Sequence, residues 1–153
     1  MSDISETVSK IKELTLFQEF SASELEAFAD LTDCVCYKDG EVVVKQDDVG
    51  ESMFVIVKGE VKVIHRSEVK QVELATLSAG DFFGEIALVD EGPRSADVIA
   101  VGDAQMLAIS QATIRALAGV YPSASFKFLV AVGRVLVKRL RQGNKKYIDS
   151  LLT

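Results

Sequence analysis

The stretch Phe83-Gly84-Glu85-Ile86-Ala87-Leu88-Val89-Asp90-Glu91-Gly92-Pro93-Arg94-Ser95-Ala96 decides the reading of this chain. It breaks a β-rich region with about one turn of helix (roughly Glu85 to Val89), a loop closed by Gly92-Pro93, and a new strand carrying Arg94. Gly84 at a helix start permits close backbone approach, and the exposed N–H groups of the first turn favour an anion. A guanidinium such as that of Arg94 forks two hydrogen bonds onto phosphate oxygens. Glu85 can accept hydrogen bonds from a hydroxyl. Together these residues suit a ligand with one phosphate beside a sugar hydroxyl. Without a ligand, Glu85 and Arg94 read as an ion pair stapling a loop.

Outward from that stretch, Cys34 to Ile109 reads as short strands between glycine turns. The candidates are Val42–Val44, Met53–Val57, Val61–Ile64, Val72–Leu77, Ala96–Val101 and Met106–Ile109. Gly40, Gly50, Gly59, Gly80, Gly92 and Gly102 fall between or beside them, where a positive φ is often needed. Many short strands at this spacing predict a jelly roll, sandwich or barrel.

Both ends read as helical. Residues 4–20 are weakly periodic, and Ser21-Ala22-Ser23-Glu24 is a capping box with Phe20 and Leu25 placed as a hydrophobic staple. Ser110 is positioned to cap a helix ending near Gly119, and Tyr121-Pro122 breaks the chain. Ser123 is read as the cap of a longer helix ending at about Gln142 before Gly143, with a short helix from Lys145 to Leu152 after it. Apolar residues from Phe128 to Leu140 cover more than one narrow stripe, which predicts two apolar partners for that helix.

The chain has 153 residues, 48% hydrophobic and 26% charged, an ordinary globular composition sized for one domain. Seventeen Lys and Arg against twenty-three Asp and Glu leave a net charge of −6. Residues 113–153 hold eight of the bases and one acid (Asp149), so a +7 tail follows a −13 body. The anionic body argues against general nucleic-acid binding. No run is long enough to span a membrane, and Met1 to Glu6 lack a signal-peptide pattern. Cys34 and Cys36, two apart on a strand, are poorly placed to bridge each other, so a cytoplasmic protein with reduced thiols is expected. The single histidine, His65, reads as a strand-end surface residue, and neither a metal centre nor histidine-dependent catalysis is expected.

The segment F-G-E-I-A-L, five residues, then R-S-A resembles the phosphate-binding cassette of cyclic nucleotide-binding domains, such as those of protein kinase A regulatory subunits, cyclic-nucleotide-gated channels and bacterial catabolite activators. Lys38–Glu41, Gln46–Gly50, Met53–Val61 and Leu77–Asp81 extend the likeness over roughly residues 14–142. The resemblance implies an α+β fold: an antiparallel β jelly-roll barrel (34–110, cassette 83–96) flanked by N-terminal helices (1–33) and C-terminal helices (111–153), as one domain. It implies that Glu85 meets the ribose 2′-hydroxyl and Arg94 the cyclic phosphate. Backbone N–H groups near Gly84, Ile86 and Ala87, with Ser95, would complete the phosphate cradle. Val63, Leu74 and Ile86 would line the base pocket, and Arg139 or Leu140 would cap the purine.

The cassette as a whole is most similar to that of the activators, which use cAMP, although Ser95 also offers the hydroxyl that cGMP-preferring members use. Asp97 stands where Thr or Ser is common and is expected to be a solvated strand residue. Too few residues follow Gln142 for the helix-turn-helix of the activators. The expectation is a non-enzymatic sensor, without cofactor, that binds cAMP or cGMP and signals to an unknown effector as a homodimer through the 124–142 helix. The alternative from another class is a ligand-free protein-interaction or dimerisation domain on the same fold.

Overall fold

The computed structural model describes residues 4–152; Met1 to Asp3, read above for a leader, and Thr153 lie outside the described residues. The order is α1 (Ile4–Ile11), a 3-10 turn (Thr15–Phe17), α2 (Ala22–Leu31), β1 (Asp33–Tyr37), β2 (Val42–Val44), β3 (Val49–Gly50), β4 (Ser52–Arg66), β5 (Gln71–Ser78) and β6 (Phe82–Phe83). A second 3-10 turn (Glu85–Leu88) leads to β7 (Gly92–Pro93), β8 (Asp97–Ser110), α3 (Gln111–Val120) and α4 (Pro122–Leu152). The architecture is therefore mixed, helices with antiparallel sheet. A six-stranded sheet runs β1-β8-β4-β5, with β2 on β8 and β6 on β4, and β3 pairs with β7 in a two-stranded ribbon.

Strand alternation divides the core in two. Met53 and Val55 of β4 and Leu107 and Ile109 of β8 face the helices, packing with Phe17, Phe28 and Phe128. Phe54 and Ile56 of β4 and Met106 of β8 point to the other face, against Val61, Phe83 and Val98. The apolar run Met53–Ile56 is thus buried on both faces, which is why it shows no polar alternation.

Three expectations change. The strand pairs expected on either side of Gly59 and Gly102 are continuous strands, β4 and β8. The glycines take φ of +90° and +72° and absorb the bends, with the β4–β8 register shifting beside Gly59. A Cβ at Gly59 would strike the Asp103 carbonyl. The long helix does not stop at Gln142: α4 runs through Gly143 to Leu152. A glycine ends a helix by adopting positive φ, and Gly143 does not; in helical conformation it costs only about 1 kcal/mol. Ser123 is not the cap, because Pro122 opens the helix, as its fixed φ favours at a first helical position.

The Ser21 capping box forms: Ser21 Oγ accepts from Glu24 N at 3.2 Å, and Glu24 accepts from Ser21 N at 2.8 Å. Ser110 caps α3 through Thr113 N. Glu24 does more than the sequence indicated. Its carboxylate, 3% exposed as a residue, also accepts from Ser123 Oγ and Lys127 Nζ, both at 2.7 Å, so it ties α2 to the root of α4. Burial alone would raise its pKa, but the Lys127 ammonium and the Ser21 and Ser123 donors outweigh burial and hold it at about 2. A depressed carboxylate stabilises the fold above its unfolded pKa, and that contribution fades as pH falls from about 4.5 toward 2. Glu24→Gln is expected to lose about 2–3 kcal/mol at neutral pH and to flatten the acid limb of the stability curve, read by urea denaturation between pH 2 and 7.

Candidate functional site

Two cavities adjoin over the cassette. One, about 350 Å³, is largely apolar, walled by Val44, Val63, Ala75, Leu77 and Val98, with Phe82 and Phe83. The other, about 260 Å³, has a larger polar share and is walled by Ile86, Ala87, Asp90, Gly92 and Pro93. Gly84, Glu85, Arg94 and Ser95 line both. The arrangement sets an oily compartment beside a more polar one, and a cation and a carboxylate stand at their junction.

Arg94 is held there by its backbone and its head. Its N–H donates to the Asp48 carbonyl and its own carbonyl accepts from Asp47 N, both at 2.8 Å, extending the β3–β7 ribbon. Asp47 accepts the left-handed φ of +74° needed at that turn, which Asp tolerates better than most residues. The guanidinium donates to the carbonyls of Ser52 (2.6 Å) and Gly84 (3.3 Å). It lies against Gly50, where any Cβ would collide with it. Gly50 is therefore glycine for close approach, not for positive φ. Burial pushes the Arg94 guanidinium below its ordinary pKa, and Glu85 opposes the shift, yet the two do not form the ion pair expected of a loop staple. Glu85 instead faces Arg139 of α4, with Nη1 to Oε1 at 3.9 Å.

Gly84 takes φ +75° and opens the turn that carries Glu85. The Ala87 N–H donates back to Gly84 O at 3.2 Å, closing the turn. Arg139 lies over the Phe82 ring, 4.6 Å from its centroid, and donates to the Phe82 carbonyl at 3.4 Å, so α4 reaches the mouth of the apolar cavity. Of the other residues singled out, Val63 and Arg139 line the apolar cavity, whereas Ile86 lines only the more polar one and its side chain is exposed. Leu74 and Leu140 line neither and are exposed. The reason for Leu74 is a bulge: Val63 pairs with Ala75 and Ile64 with Glu73, which leaves Leu74 unpaired and turned outward. Ala75 and Leu77 take the inward positions. Period-two counting from Leu77 would have found Ala75 but not the slip that follows it.

Asp97 is not solvated. It is buried and accepts from Arg66 Nε at 2.6 Å, Arg66 Nη2 at 3.2 Å and Gln46 N at 2.7 Å. The Arg66 hydrogen bonds hold its carboxyl below the usual range, against burial, and Gln46 N adds to them. Gln46 completes the brace by bonding both backbone polar groups of Arg66 through its amide. The brace anchors the 46–50 loop on which Arg94 rests. His65 is exposed at the end of β4, its Nδ1 3.0 Å from the Ser95 carbonyl. Both cysteines are free, and among the described residues no His, Cys, Asp and Glu group could hold a metal ion. No helix of the described residues is long and apolar enough to cross a membrane.

Comparison with known proteins gives the family. The family model described as "Cyclic nucleotide-binding domain" matches residues 34–121. A cAMP-dependent protein kinase regulatory subunit of Mucor circinelloides f. lusitanicus is 36% identical over 92 residues, 60% of this chain and 22% of that protein. A cGMP-dependent protein kinase of Caenorhabditis elegans is 35% identical over 98 residues, 63% of this chain and 13% of that protein. The chain thus spans less than a quarter of the length of these relatives. Among solved structures, Thermus thermophilus Catabolite Activator Protein superposes with a TM-score of 0.76 at 27% identity, covering 87% of this chain and 61% of that one. With the family model covering more than half of the chain, from within β1 through β8 and with the cassette inside it, the chain belongs to the cyclic nucleotide-binding domain family.

Proposed function

We propose that this chain is a non-catalytic sensor that binds one cyclic nucleotide monophosphate, cAMP in preference to cGMP. The observation that carries the reading is the pair of adjoining cavities sharing Gly84, Glu85, Arg94 and Ser95. A purine fits the apolar compartment, and the ribose and cyclic phosphate fit the more polar one. Arg94 takes the phosphate, Glu85 the 2′-hydroxyl, and the turn opened by Gly84 supplies the N–H donor of Ile86, with the Ala87 N–H joining it by sharing its bond to the Gly84 carbonyl. Val63 lines the base pocket, and Arg139 covers it. The preference for cAMP is supported by the cassette's likeness to the activators; the two kinase relatives are named for different nucleotides and do not choose between them.

On this reading residues 1–153 form one domain whose strands make a jelly-roll barrel, and α4 is the reporting element. Because Arg139 faces Glu85, a ribose competing for that carboxylate changes what holds α4 at the cavity mouth. The altered α4 is then presented to an effector protein, and to a second copy of the chain through residues 124–142. A cytoplasmic location fits an intracellular second messenger.

Isothermal titration of the purified protein with cAMP and then cGMP tests the reading, with saturation at one nucleotide per chain expected and cAMP the tighter. Flat heats for both, on protein free of co-purified nucleotide, would replace it with a ligand-free interaction domain. Ser95→Ala is expected to weaken cGMP about fivefold more than cAMP, the worth of one neutral hydrogen bond to the guanine amino group. Equal losses would assign Ser95 to the phosphate that both nucleotides share.

A further inference from the structure

The chain that carries Arg94 has little of its own to hold it. Arg94 follows directly on β7, in a ribbon that pairs only Val49 with Pro93 and Gly50 with Gly92. Two strands of this length are marginal on their own in water. Val49 is 70% exposed and the glycines have no side chains to pack, so the ribbon draws little support from a core. The Arg94 backbone is fixed instead by Asp47 and Asp48, through Asp47 N to Arg94 O and Arg94 N to Asp48 O. Where residues 47–48 sit therefore sets where Arg94 sits.

That segment starts from a corner where three elements meet. Gln46 lies two residues past β2, Asp97 opens β8 and Arg66 closes β4. Asp97 takes the Gln46 N–H on Oδ1 and the Arg66 fork on both oxygens. Gln46 completes the triangle: its Nε2 donates to the Arg66 carbonyl at 2.8 Å, and its Oε1 accepts from the Arg66 N–H at 2.7 Å. The Asp97 side chain is only 12% exposed, so these three residues satisfy one another more than water does. His65, the neighbour of Arg66, places Nδ1 against the Ser95 carbonyl. Successive residues at the end of β4 thus both hold the segment that leads from Arg94 into β8.

Gln46, Arg66 and Asp97 line neither cavity of the cassette. Their influence on a ligand runs through the chain they hold, and charge and position predict opposite signs for it. A carboxylate three residues from Arg94 repels a bound phosphate, so by its field alone a neutral residue at 97 strengthens anion binding. If the hydrogen bonds of Asp97 fix Arg94, the same change weakens it.

We propose that Asp97, with Arg66 and Gln46, is a positioning residue for the phosphate contact: the triad fixes residues 47–48, and through them the place of Arg94 between the two cavities. The inference rests on the nucleotide reading for its ligand, but not for the coupling of the triad to Arg94.

The test compares variants of the full chain. Asp97→Asn keeps the size and an acceptor for Gln46 N, but turns an amide N–H toward the Arg66 fork. It is expected to weaken cAMP about tenfold in titration, and Gln46→Ala by a similar factor. Arg66→Lys keeps the charge and loses the fork, and is expected to fall between these and the wild type. In an Arg94→Ala background, Asp97→Asn is expected to change affinity by less than about twofold, because the group being positioned is gone. Without ligand, the Arg94 amide is expected to exchange its hydrogen roughly tenfold faster in Asp97→Asn and Gln46→Ala than in the wild type.

Tighter or unchanged binding in Asp97→Asn, the same loss with and without Arg94, or an Arg94 amide equally protected in every variant would overturn the proposal. If Asp97→Asn does not fold, Gln46→Ala and Arg66→Lys carry the same comparison. A wild type that binds neither cAMP nor cGMP removes the ligand reading alone. Faster exchange at Arg94 in the variants then still supports the triad as what holds it, and unchanged exchange overturns that too.

Discussion

Arg94→Ala is expected to cost about 2–5 kcal/mol of cyclic nucleotide affinity, a loss of tens- to thousands-fold in titration, because a sequestered phosphate would lose its counter-charge. The surroundings of Arg94 explain why no neighbour can substitute. Its guanidinium is satisfied by two carbonyls, Ser52 and Gly84, and Glu85 turns away to Arg139. A group already lowered in pKa by burial gains most from an anion brought beside it. Arg94→Lys should recover only part of the loss, since an ammonium cannot fork two bonds onto phosphate while holding a carbonyl. Glu85→Ala should cost less, removing hydrogen bonds to a neutral hydroxyl. Unchanged affinity in both Arg94→Ala and Glu85→Ala, with folding confirmed by thermal melts, would remove the assignment.

The largest expected effect on stability is at Phe128. It is fully buried at the root of α4, with ring centroids 5.9 Å from Phe17 and 5.3 Å from Phe28. Phe17 and Phe28 also meet each other and Phe20 edge-to-face, so one aromatic cluster joins the N-terminal helices to α4. Phe128→Ala is expected to lose roughly 3–5 kcal/mol and to lower the thermal midpoint by on the order of 10 °C. Val69→Ala, 88% exposed in the β4–β5 turn, should stay within about 0.5 kcal/mol. Equal melting of the two variants would mean that α4 is not anchored through this cluster. Because the cluster sits where α4 leaves the body, Phe128→Ala should also loosen the helix that carries Arg139.

What could be read along the chain was what neighbouring residues decide. The Ser21 and Ser110 caps are bonds across three residues, and both form. The cassette is contiguous, so its glycine, carboxylate and arginine announce a turn without knowledge of the rest. The glycines at 59 and 102 were legible as special backbone, but not as bulges inside long strands, since a bulge exists only relative to a partner strand. The same limit hid the outward turn of Leu74, which depends on a slip against β4. Asp97 looked solvated because its partner Arg66 is thirty-one residues away.

The amino-acid order by itself determined the family, the Ser21 and Ser110 caps and the composition of the cassette, because each rests on spacing within a few turns or strands. Only the tertiary structure decided that Glu85 faces Arg139 rather than Arg94, that Gly50 makes room for a guanidinium, and that Glu24 joins α2 to α4. Those contacts connect residues that chain distance separates and packing alone brings together.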